Sequence, residues 1–341
     1  MTTNKRKSQK VKIIKGERIA EQLTEWGTPC VYESHTIAPQ VIHYNLTLQD
    51  ATKIAKAKRL AEPLAIWADT PATITTSGKY LIIELQRKQR QFISLNEWAD
   101  TLAKAKPHSL AIGTDTTGEQ ITATLDDVTH LLIAGTTGGG KSVILNNIIL
   151  SLCAYNKPQR LKMFLFDAKR VEFNKFKSLP HLANEIITEP TEAAQTLKFL
   201  VDVMEQRYKI LESKGLDKAG GHFAKIVVIV DELTDLVQQS PQIKPLLTRL
   251  LQKARACGIH LILATQSPRA SILDGVTLAN LPTRLALKCA TARESVLILG
   301  HKGAEQLTGK GDAIYKAQNT TNEKRIQAPF LTDDEIKTIL K

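Results

Sequence analysis

Gly135-Thr136-Thr137-Gly138-Gly139-Gly140-Lys141-Ser142 is the segment that indicates the fold class of this chain most directly. It fits the pattern G-x-x-x-x-G-K-[ST], which is the phosphate-binding loop (P-loop) of nucleotide-binding proteins. The mostly apolar segment 130–134 before it predicts a buried strand, and the segment 143–150 after it predicts the start of a helix. Because the motif needs strand, glycine loop and helix in this order, a chance glycine-rich turn is the weaker interpretation.

The residue types of the loop predict how it binds phosphate. Glycines let the backbone N–H groups turn toward an anion, and the N-terminus of the following helix adds a favourable dipole. We expect Lys141 to reach the β- and γ-phosphates of ATP, and Ser142 to ligate Mg²⁺. ATP and Mg²⁺ are therefore the expected cofactors, and the nucleotide-binding residues are predicted to be Gly135, Thr136, Thr137, Gly138, Gly139, Gly140, Lys141, Ser142 and Val143.

A second motif follows the apolar run Ile226–Val230, which ends in an Asp-Glu pair. Asp231 is expected to hold Mg²⁺ through water, and Glu232 to polarise the attacking water. Asp231 lies 90 residues after Lys141, with one predicted strand between them. This order and spacing are typical of the Walker B strand of a P-loop nucleotidase.

Further catalytic candidates lie on the next strand and its flanks. The strand His260–Ala264 ends in Thr265-Gln266, and the amide of Gln266 can sense the γ-phosphate or the lytic water, although a plain turn is the alternative. In ring ATPases an arginine of one subunit completes the neighbour's site by stabilising charge in the transition state. We favour Arg255 for this role, with Arg249 and Arg284 next; a solvated helix face is the alternative for each.

Strands and helices alternate from about residue 107 onward. The predicted strands are Leu131–Ala134, Met163–Phe166, Ile226–Val230, His260–Ala264 and Arg284–Cys289, and the main helices are Glu192–Lys214 and Lys244–Ala256. Repeated strand-then-helix order predicts an α/β fold with a parallel sheet covered by helices, and ligands beyond the carboxyl ends of the strands. The predicted domains are an N-terminal basic arm (1–30), a small α+β domain (31–106) and a nucleotide-binding domain (107–341).

Within the small domain, the pattern predicts a strand, a helix and a strand pair, namely Gln40–Leu46, Thr47–Leu60, and Ala72–Thr76 with Tyr80–Leu85. In residues 1–20, seven Lys and Arg oppose one Glu, a net charge of 7 − 1 = +6. This predicts a mobile basic arm, with a solvated disordered tail as the alternative.

The bulk composition limits the class of protein. The 341 residues are 43% hydrophobic, enough for a substantial core, and carry a formal net charge of +12. The positive charge favours polyanionic partners, with ordinary solubility charge as the alternative. The four cysteines lie far apart, which argues against zinc and redox sites and favours reduced thiols in the cytoplasm. No apolar run is long enough to span a bilayer, so no intrinsic membrane anchor is expected.

Several segments point together to one family. They are HLLIAGTTGGGKSV (130–143), MEQRY (204–208), LLQKARACGIHLILATQ (250–266), NLPTR (280–284), GAEQL (303–307) and GKGD (309–312). In this order they closely resemble the motor domain of the FtsK/SpoIIIE DNA translocases, and Asp167-Ala168-Lys169 stands where the family usually has Asp-Pro-Lys. The resemblance covers about residue 31 to the C-terminus, with 31–104 resembling the family's smaller α domain and 107 onward its RecA-like β domain.

The resemblance implies a ring-shaped, hexameric motor that threads double-stranded DNA and moves along it by hydrolysing ATP. The position of Arg255 matches the arginine that the family is thought to use as its finger into the neighbouring subunit. A motor that releases and regrips any duplex needs phosphate contacts without sequence readout. We therefore expect Lys and Arg at loop tips rather than a base-reading helix.

The chain departs from the family at three positions where the family often has a basic residue. Ser267 follows Ala-Thr-Gln, Leu278 precedes Ala-Asn-Leu-Pro, and a further pore lysine of the family is replaced near Ala292. Contacts to DNA are expected instead at neighbouring basic residues, although surface solubility charge is the alternative. These candidates are Arg269, Lys288, Arg293 and Lys302.

The family's chromosomal members also carry membrane spans, a long linker and a winged-helix module, none of which is visible here. This favours a protein of a phage, plasmid or integrative element, with an element-encoded partner protein as a further expectation. A conjugative coupling or phage DNA-packaging ATPase with the same motor core is an alternative. A DNA-binding nucleotide switch with little turnover is another, and the intact Asp231-Glu232 pair argues against it.

Overall fold

The computed structural model describes residues 13–87, 93–318, 320 and 322–340. Two units are distinguished within them, a smaller one that includes 13–87 together with Thr116–Glu119, and a larger one from Ile93 onward. The predicted domain boundary after residue 106 therefore moves toward the N-terminus, because residues 93–106 pack with the larger unit.

The small unit is a helix-backed antiparallel sheet with strand order β1-β2-β4-β3. Its helices and strands are α1 (Gly16–Glu25), β1 (Cys30–Ile37), β2 (Val41–Leu48), α2 (Ile54–Arg59), α3 (Ala61–Ala68), β3 (Ala72–Ser77) and β4 (Tyr80–Gln86). The predicted strand pair is confirmed as β3 and β4. The helix predicted from Thr47 starts later, because β2 continues to Leu48 and the Asp50 side chain accepts the N–H of Thr52 to begin a helical turn.

Helix α1 lies inside the segment that was predicted to be a basic arm. Ile19 and Leu23, one helical turn apart, are fully buried and belong to the core that also contains Tyr44 and Leu46 of β2. The arm prediction is therefore wrong for α1, because a short apolar stripe outweighs the surrounding charge. Residues 1–12, which carry most of that charge, lie outside the described residues.

The larger unit contains a nine-stranded sheet with the order β6-β5-β13-β12-β11-β7-β10-β9-β8. Its strands are β5 (Ser109–Asp115), β6 (Gln120–Thr124), β7 (Leu131–Ala134), β8 (Leu161–Phe166), β9 (Lys225–Val230), β10 (Ile259–Thr265), β11 (Thr283–Leu287), β12 (Asp312–Lys316) and β13 (Lys324–Gln327). Its helices are α4 (Ala99–Lys104), α5 (Leu125–Val128), α6 (Lys141–Ala154), α7 (Pro190–Ser213), α8 (Leu233–Gln239), α9 (Ile243–Lys253), α10 (Gly275–Ala279), α11 (Ala292–Leu299) and α12 (Asp333–Ile339).

The sheet is parallel in one part only. Neighbouring strands from β11 through β7, β10 and β9 to β8 run parallel, and these are the five strands that the sequence predicts. Strands β12, β13, β5 and β6 extend the sheet in antiparallel pairs. The prediction of a parallel sheet is confirmed for the first part and wrong for the second, whose strands lack the continuous apolar runs of doubly covered strands.

Both faces of the parallel part are covered, as predicted. Alternate residues of β7 show this, since Leu131 and Ile133 pack in the core that contains the buried face of α6. Leu132 and Ala134 belong instead to the core built with α7 and α9. A strand buried on both faces reads as an unbroken apolar run, which is why β7 is visible in the sequence.

A substitution in α1 tests whether this helix packs in the core of the small unit. Leu23→Ala should lower the free energy of unfolding by about 2–5 kcal/mol, because it leaves a cavity in a core where Leu23 is fully buried. Glu21→Ala on the exposed face of the same helix is the control, with an expected change within about 0.5 kcal/mol. Urea denaturation of the full chain measures both, and equal effects would contradict the docking of α1.

Candidate nucleotide site

The P-loop connects β7 to α6 at the carboxyl edge of the parallel strands. Gly138 and Gly140 adopt φ values of +79° and +111°, a region that residues with a Cβ rarely enter. A Cβ at Gly140 would also collide with the backbone of Gly311. The motif glycine Gly140 is therefore required both by the turn and by the closeness of a neighbouring loop, and Gly138 is required by the turn.

Two neighbouring segments hold the loop through backbone hydrogen bonds. The carbonyl of Lys288, just after β11, accepts the N–H of Thr136 at 2.8 Å. The N–H of Gly311, just before β12, donates to the carbonyl of Gly139 at 2.7 Å. The loop is thus fastened to both ends of the β11–β12 connection.

Lys141 is buried and pairs with Asp231 of the second motif. Its ammonium group donates to the backbone carbonyl of Asp231 at 2.8 Å and forms an ion pair with the carboxylate of the same residue. Burial raises the pKa of the Asp231 carboxyl, and the adjacent Lys141 opposes that effect. The two motifs that are 90 residues apart in the chain therefore meet directly.

Ser142 contacts a residue that the sequence analysis did not identify. Its hydroxyl donates to a carboxylate oxygen of Glu172 at 2.6 Å. Asp167, at the end of β8, is also close enough to Asp231 to raise the pKa of that carboxyl, and its Oδ1 is buried without a hydrogen-bond partner among the described residues. These oxygen groups suit Mg²⁺, which prefers carboxylate and hydroxyl ligands completed by water and phosphate.

The described residues contain no cluster of three or more His, Cys, Asp or Glu side chains arranged to hold a metal by themselves. The predicted ligands Ser142 and Asp231 do lie beside the same P-loop lysine, Ser142 as its neighbour in α6 and Asp231 as its ion-pair partner. A site of this kind fits Mg²⁺ bound by one or two protein groups together with substrate phosphates.

Glu232 and Gln266 meet at the carboxyl ends of β9 and β10. One carboxylate oxygen of Glu232 accepts the hydroxyl of Thr265 at 2.6 Å, and the other accepts the backbone N–H of Gln266 at 2.9 Å. The side-chain oxygen of Gln266 accepts the hydroxyl of Thr137 in the P-loop at 2.7 Å. The structure therefore brings together all the predicted groups of the strand ends, with Glu232 oriented by two donors.

Two residues of the β8 end were missed as site residues. These two residues are Glu172 and Lys169. The ammonium of Lys169 lies 3.0 Å from the Asp235 carboxylate. The hydrogen bond to Asp235, aided by the charges of Glu232 and Asp231, raises the pKa of Lys169. The sequence could have indicated both residues, because the loop that contains them follows the parallel strand β8 at the ligand-binding edge of the sheet.

The three candidate arginines lie in different settings. Arg284 is partly buried and donates to the backbone carbonyls of Leu281, Ile298 and Leu278, so its guanidinium serves the local fold. Arg249 forms an exposed ion pair with Glu205 on the adjacent helix.

Arg255 is exposed and precedes β10, and it donates weakly to the carbonyl of Asp126 at 3.5 Å. The P-loop lies at the other end of the seven-residue strand β10, about 20 Å away at about 3.3 Å per residue. Arg255 is therefore outside reach of the nucleotide site of its own chain.

The four candidate DNA contacts have exposed side chains. Arg269 follows β10, while Lys288, Arg293 and Lys302 lie on the β11–β12 connection. The backbone of Lys288 supports the P-loop, whereas Arg293 and Lys302 lie on and just beyond α11. The structure shows that these side chains are accessible and leaves their role in DNA binding a prediction.

Fold and site together define a RecA-like P-loop nucleoside-triphosphatase fold of the α/β class. The FtsK/SpoIIIE family model matches residues 97–225 and 217–270, more than half of the chain. The chain therefore belongs to the FtsK/SpoIIIE family.

Named relatives agree with this assignment. The chain is 35% identical to DNA translocase FtsK of Halalkalibacterium halodurans over 95% of its own length and 44% of that protein. It is 34% identical to DNA translocase FtsK of Pasteurella multocida over 95% of its own length and 39% of that protein. The chain thus spans less than half the length of these relatives.

Solved structures show the same fold. The pCW3 conjugation coupling protein TcpA, in a monomer form with ATPγS, matches with a TM-score of 0.68 and 24% identity, over 95% of this chain and 98% of that one. The cytoplasmic domain of the type VII secretion ATPase EccC of Thermomonospora curvata matches with a TM-score of 0.61 and 19% identity, over 73% of this chain and 34% of that one. The helices in the described parts of our chain are too short or too polar to cross a membrane.

The Lys141–Asp231 pair gives a test that is independent of activity. Lys141→Ala should lower the free energy of unfolding by roughly 3–5 kcal/mol at neutral pH, because it leaves the Asp231 carboxylate buried without its partner. The double change Lys141→Met with Asp231→Asn should recover most of the loss. Urea denaturation without nucleotide measures both variants, and equal stability of Lys141→Ala and the unaltered protein would contradict the buried pair.

Proposed function

We propose that this chain is the motor of a DNA translocase that hydrolyses ATP and moves double-stranded DNA, assembled as a ring and most simply as a hexamer. The observation that carries the proposal is the convergence of the P-loop, the Asp231-Glu232 pair and Gln266 at one sheet edge. This convergence occurs in a member of a family whose named relatives are DNA translocases.

The residues at this edge would have different roles in ATP hydrolysis. Lys141 and the loop N–H groups bind and orient the phosphates, while Ser142 and Asp231 hold Mg²⁺. When bound, Mg²⁺ neutralises charge that develops on the phosphate oxygens. Glu232, already oriented by two hydrogen bonds, accepts a hydrogen bond from the attacking water, and Gln266 lies between that carboxylate and the P-loop.

Contact with DNA is assigned to Arg269, Lys288, Arg293 and Lys302. Three of them lie on the β11–β12 connection, whose two ends are hydrogen-bonded to the P-loop. Movement of the loop on nucleotide binding or release would therefore reach the DNA-binding side chains through a short path. Contacts of this kind bind phosphates without reading sequence.

Arg255 is proposed to act in a neighbouring copy of the chain. It lies at the amino end of β10, whereas its own nucleotide site lies at the carboxyl end. A second copy that presents Arg255 to this site would supply a positive charge at the transition state. This arrangement would also make bound ATP part of the contact between subunits.

A conjugative coupling or DNA-packaging ATPase, working in the cytoplasm with a partner protein, would use the same residues in the same way. A nucleotide switch with little turnover is less favoured, because Glu232 is present and held in a defined orientation. Turnover in the presence of DNA separates the switch from the motors.

Stimulation of ATP hydrolysis by duplex DNA tests the proposal. We expect linear duplex DNA at low salt to raise the ATPase rate, and Glu232→Gln to lower that rate by at least about 100-fold through loss of the general base. Glu212→Gln, an exposed residue of α7, is the matched control and should keep the unaltered rate. An ATPase rate that duplex DNA leaves unchanged would contradict a DNA motor.

Mixing of inactive variants tests the proposed role of Arg255. Arg255→Ala and Glu232→Gln should each be inactive alone, whereas their mixture should recover part of the activity, because some interfaces then pair an intact arginine with an intact glutamate. Arg249→Ala, which loses only an exposed ion pair, is the control and should remain active. Full activity of Arg255→Ala alone would contradict the role.

A further inference from the structure

The segment after β8 places Glu172 against the start of α6. The Oδ2 atom of Asp167 accepts the backbone N–H of Phe173 at 3.0 Å, which closes the segment into a tight loop. Arg170 within the loop adopts a left-handed conformation with φ of +59°, and Phe173 is fully buried. Glu172 is thus fixed between an anchored aromatic residue and a strained turn, which directs it to Ser142.

The hydrogen bond between Ser142 and Glu172 settles the direction of the serine hydroxyl. A hydroxyl has one hydrogen to donate and two lone pairs. At an Oγ–Oε1 distance of 2.6 Å, Ser142 donates that hydrogen to Glu172, because an ionised carboxylate is only an acceptor. The lone pairs of Ser142 then remain available to a metal ion.

Asp231 does not serve as that acceptor in this structure. Its Oδ1 atom pairs with the ammonium of Lys141, and the hydrogen bond of Ser142 goes to Glu172. The two acidic residues thus have separate partners at the start of α6, Asp231 for the lysine and Glu172 for the serine.

We propose that Glu172 is a positioning residue for Mg²⁺ binding: it accepts the hydroxyl hydrogen of Ser142 and so holds the oxygen of Ser142 in the orientation that ligates the ion. The inference rests on the proposed function, since it takes Mg–nucleotide as the ligand of the P-loop. Groups that orient a metal ligand in this way typically change metal affinity by about 10–100-fold when removed.

Nucleotide binding at varied Mg²⁺ concentration tests the inference without any measurement of turnover. A fluorescent ATP analogue is titrated into the full chain in EDTA and then at increasing Mg²⁺. Glu172→Ala should need about 10–100-fold more Mg²⁺ for the same tightening, with unchanged affinity in EDTA. Glu172→Gln keeps an oxygen acceptor and should stay near the unaltered protein, which also guards against a folding defect.

Two further variants show whether Glu172 acts through Ser142. Ser142→Ala should weaken the response to Mg²⁺, and adding Glu172→Ala to it should cause no further loss, because the acceptor then has nothing to hold. Glu185→Ala, an exposed acid on the neighbouring segment, is the matched control and should leave the Mg²⁺ response unchanged.

Each contrary result has a distinct meaning. If Glu172→Ala needs no more Mg²⁺ than the unaltered protein, or needs less, Glu172 does not position the ligand and the inference is overturned. Additive losses in the double variant would also overturn it. If the unaltered chain binds no nucleotide even at saturating Mg²⁺, the proposed function fails and takes the inference with it, whereas normal nucleotide binding confines the failure to Glu172.

Discussion

The ion pair between Lys141 and Asp231 is the contact on which the site depends. Both side chains are buried. Removal of either partner would therefore leave the other charge buried and uncompensated, at a large cost in free energy. The pair joins the start of α6 to the end of β9 across the intervening strand β10. A nucleotide phosphate that draws Lys141 away would leave Asp231 uncompensated, and a bound Mg²⁺ would supply the positive charge that is then missing. Binding of phosphate and of metal should therefore be strongly coupled at this site.

The second constraint comes from the β11–β12 connection, which fastens the P-loop from outside. Its two ends bond to the loop through Lys288 and Gly311, and its middle contains α11. The guanidinium of Arg284 bonds to the carbonyl of Ile298, so α11 is tied to β11 as well. The connection is thus hydrogen-bonded to the P-loop at its two ends and to β11 through α11, an arrangement that would link phosphate binding to its exposed basic side chains.

The sequence predicts the centre of the larger unit well and its borders poorly. Strands β7, β9 and β10 are buried on both faces and stand out as apolar runs, and the polar residues that follow them include Glu232 and Gln266. The antiparallel strands β5, β6, β12 and β13 mix polar and apolar residues, and their place in the sheet is set by pairing that no local pattern reveals. The contact between Ser142 and Glu172 spans 30 residues and depends on how the β8 loop turns, which no local pattern encodes.

The place of Arg255 constrains any assembly in which it completes a site. The nucleotide site lies at the carboxyl ends of the parallel strands, and Arg255 lies at their amino ends. Two copies that exchange this residue must therefore join unlike surfaces, the amino edge of one against the carboxyl edge of the next. Such head-to-tail contacts cannot close as a two-fold dimer, because a two-fold axis pairs identical surfaces. When such contacts repeat from copy to copy, the assembly either closes into a ring or continues as an open helix. In a closed ring, each nucleotide site would be completed by Arg255 of a neighbouring copy.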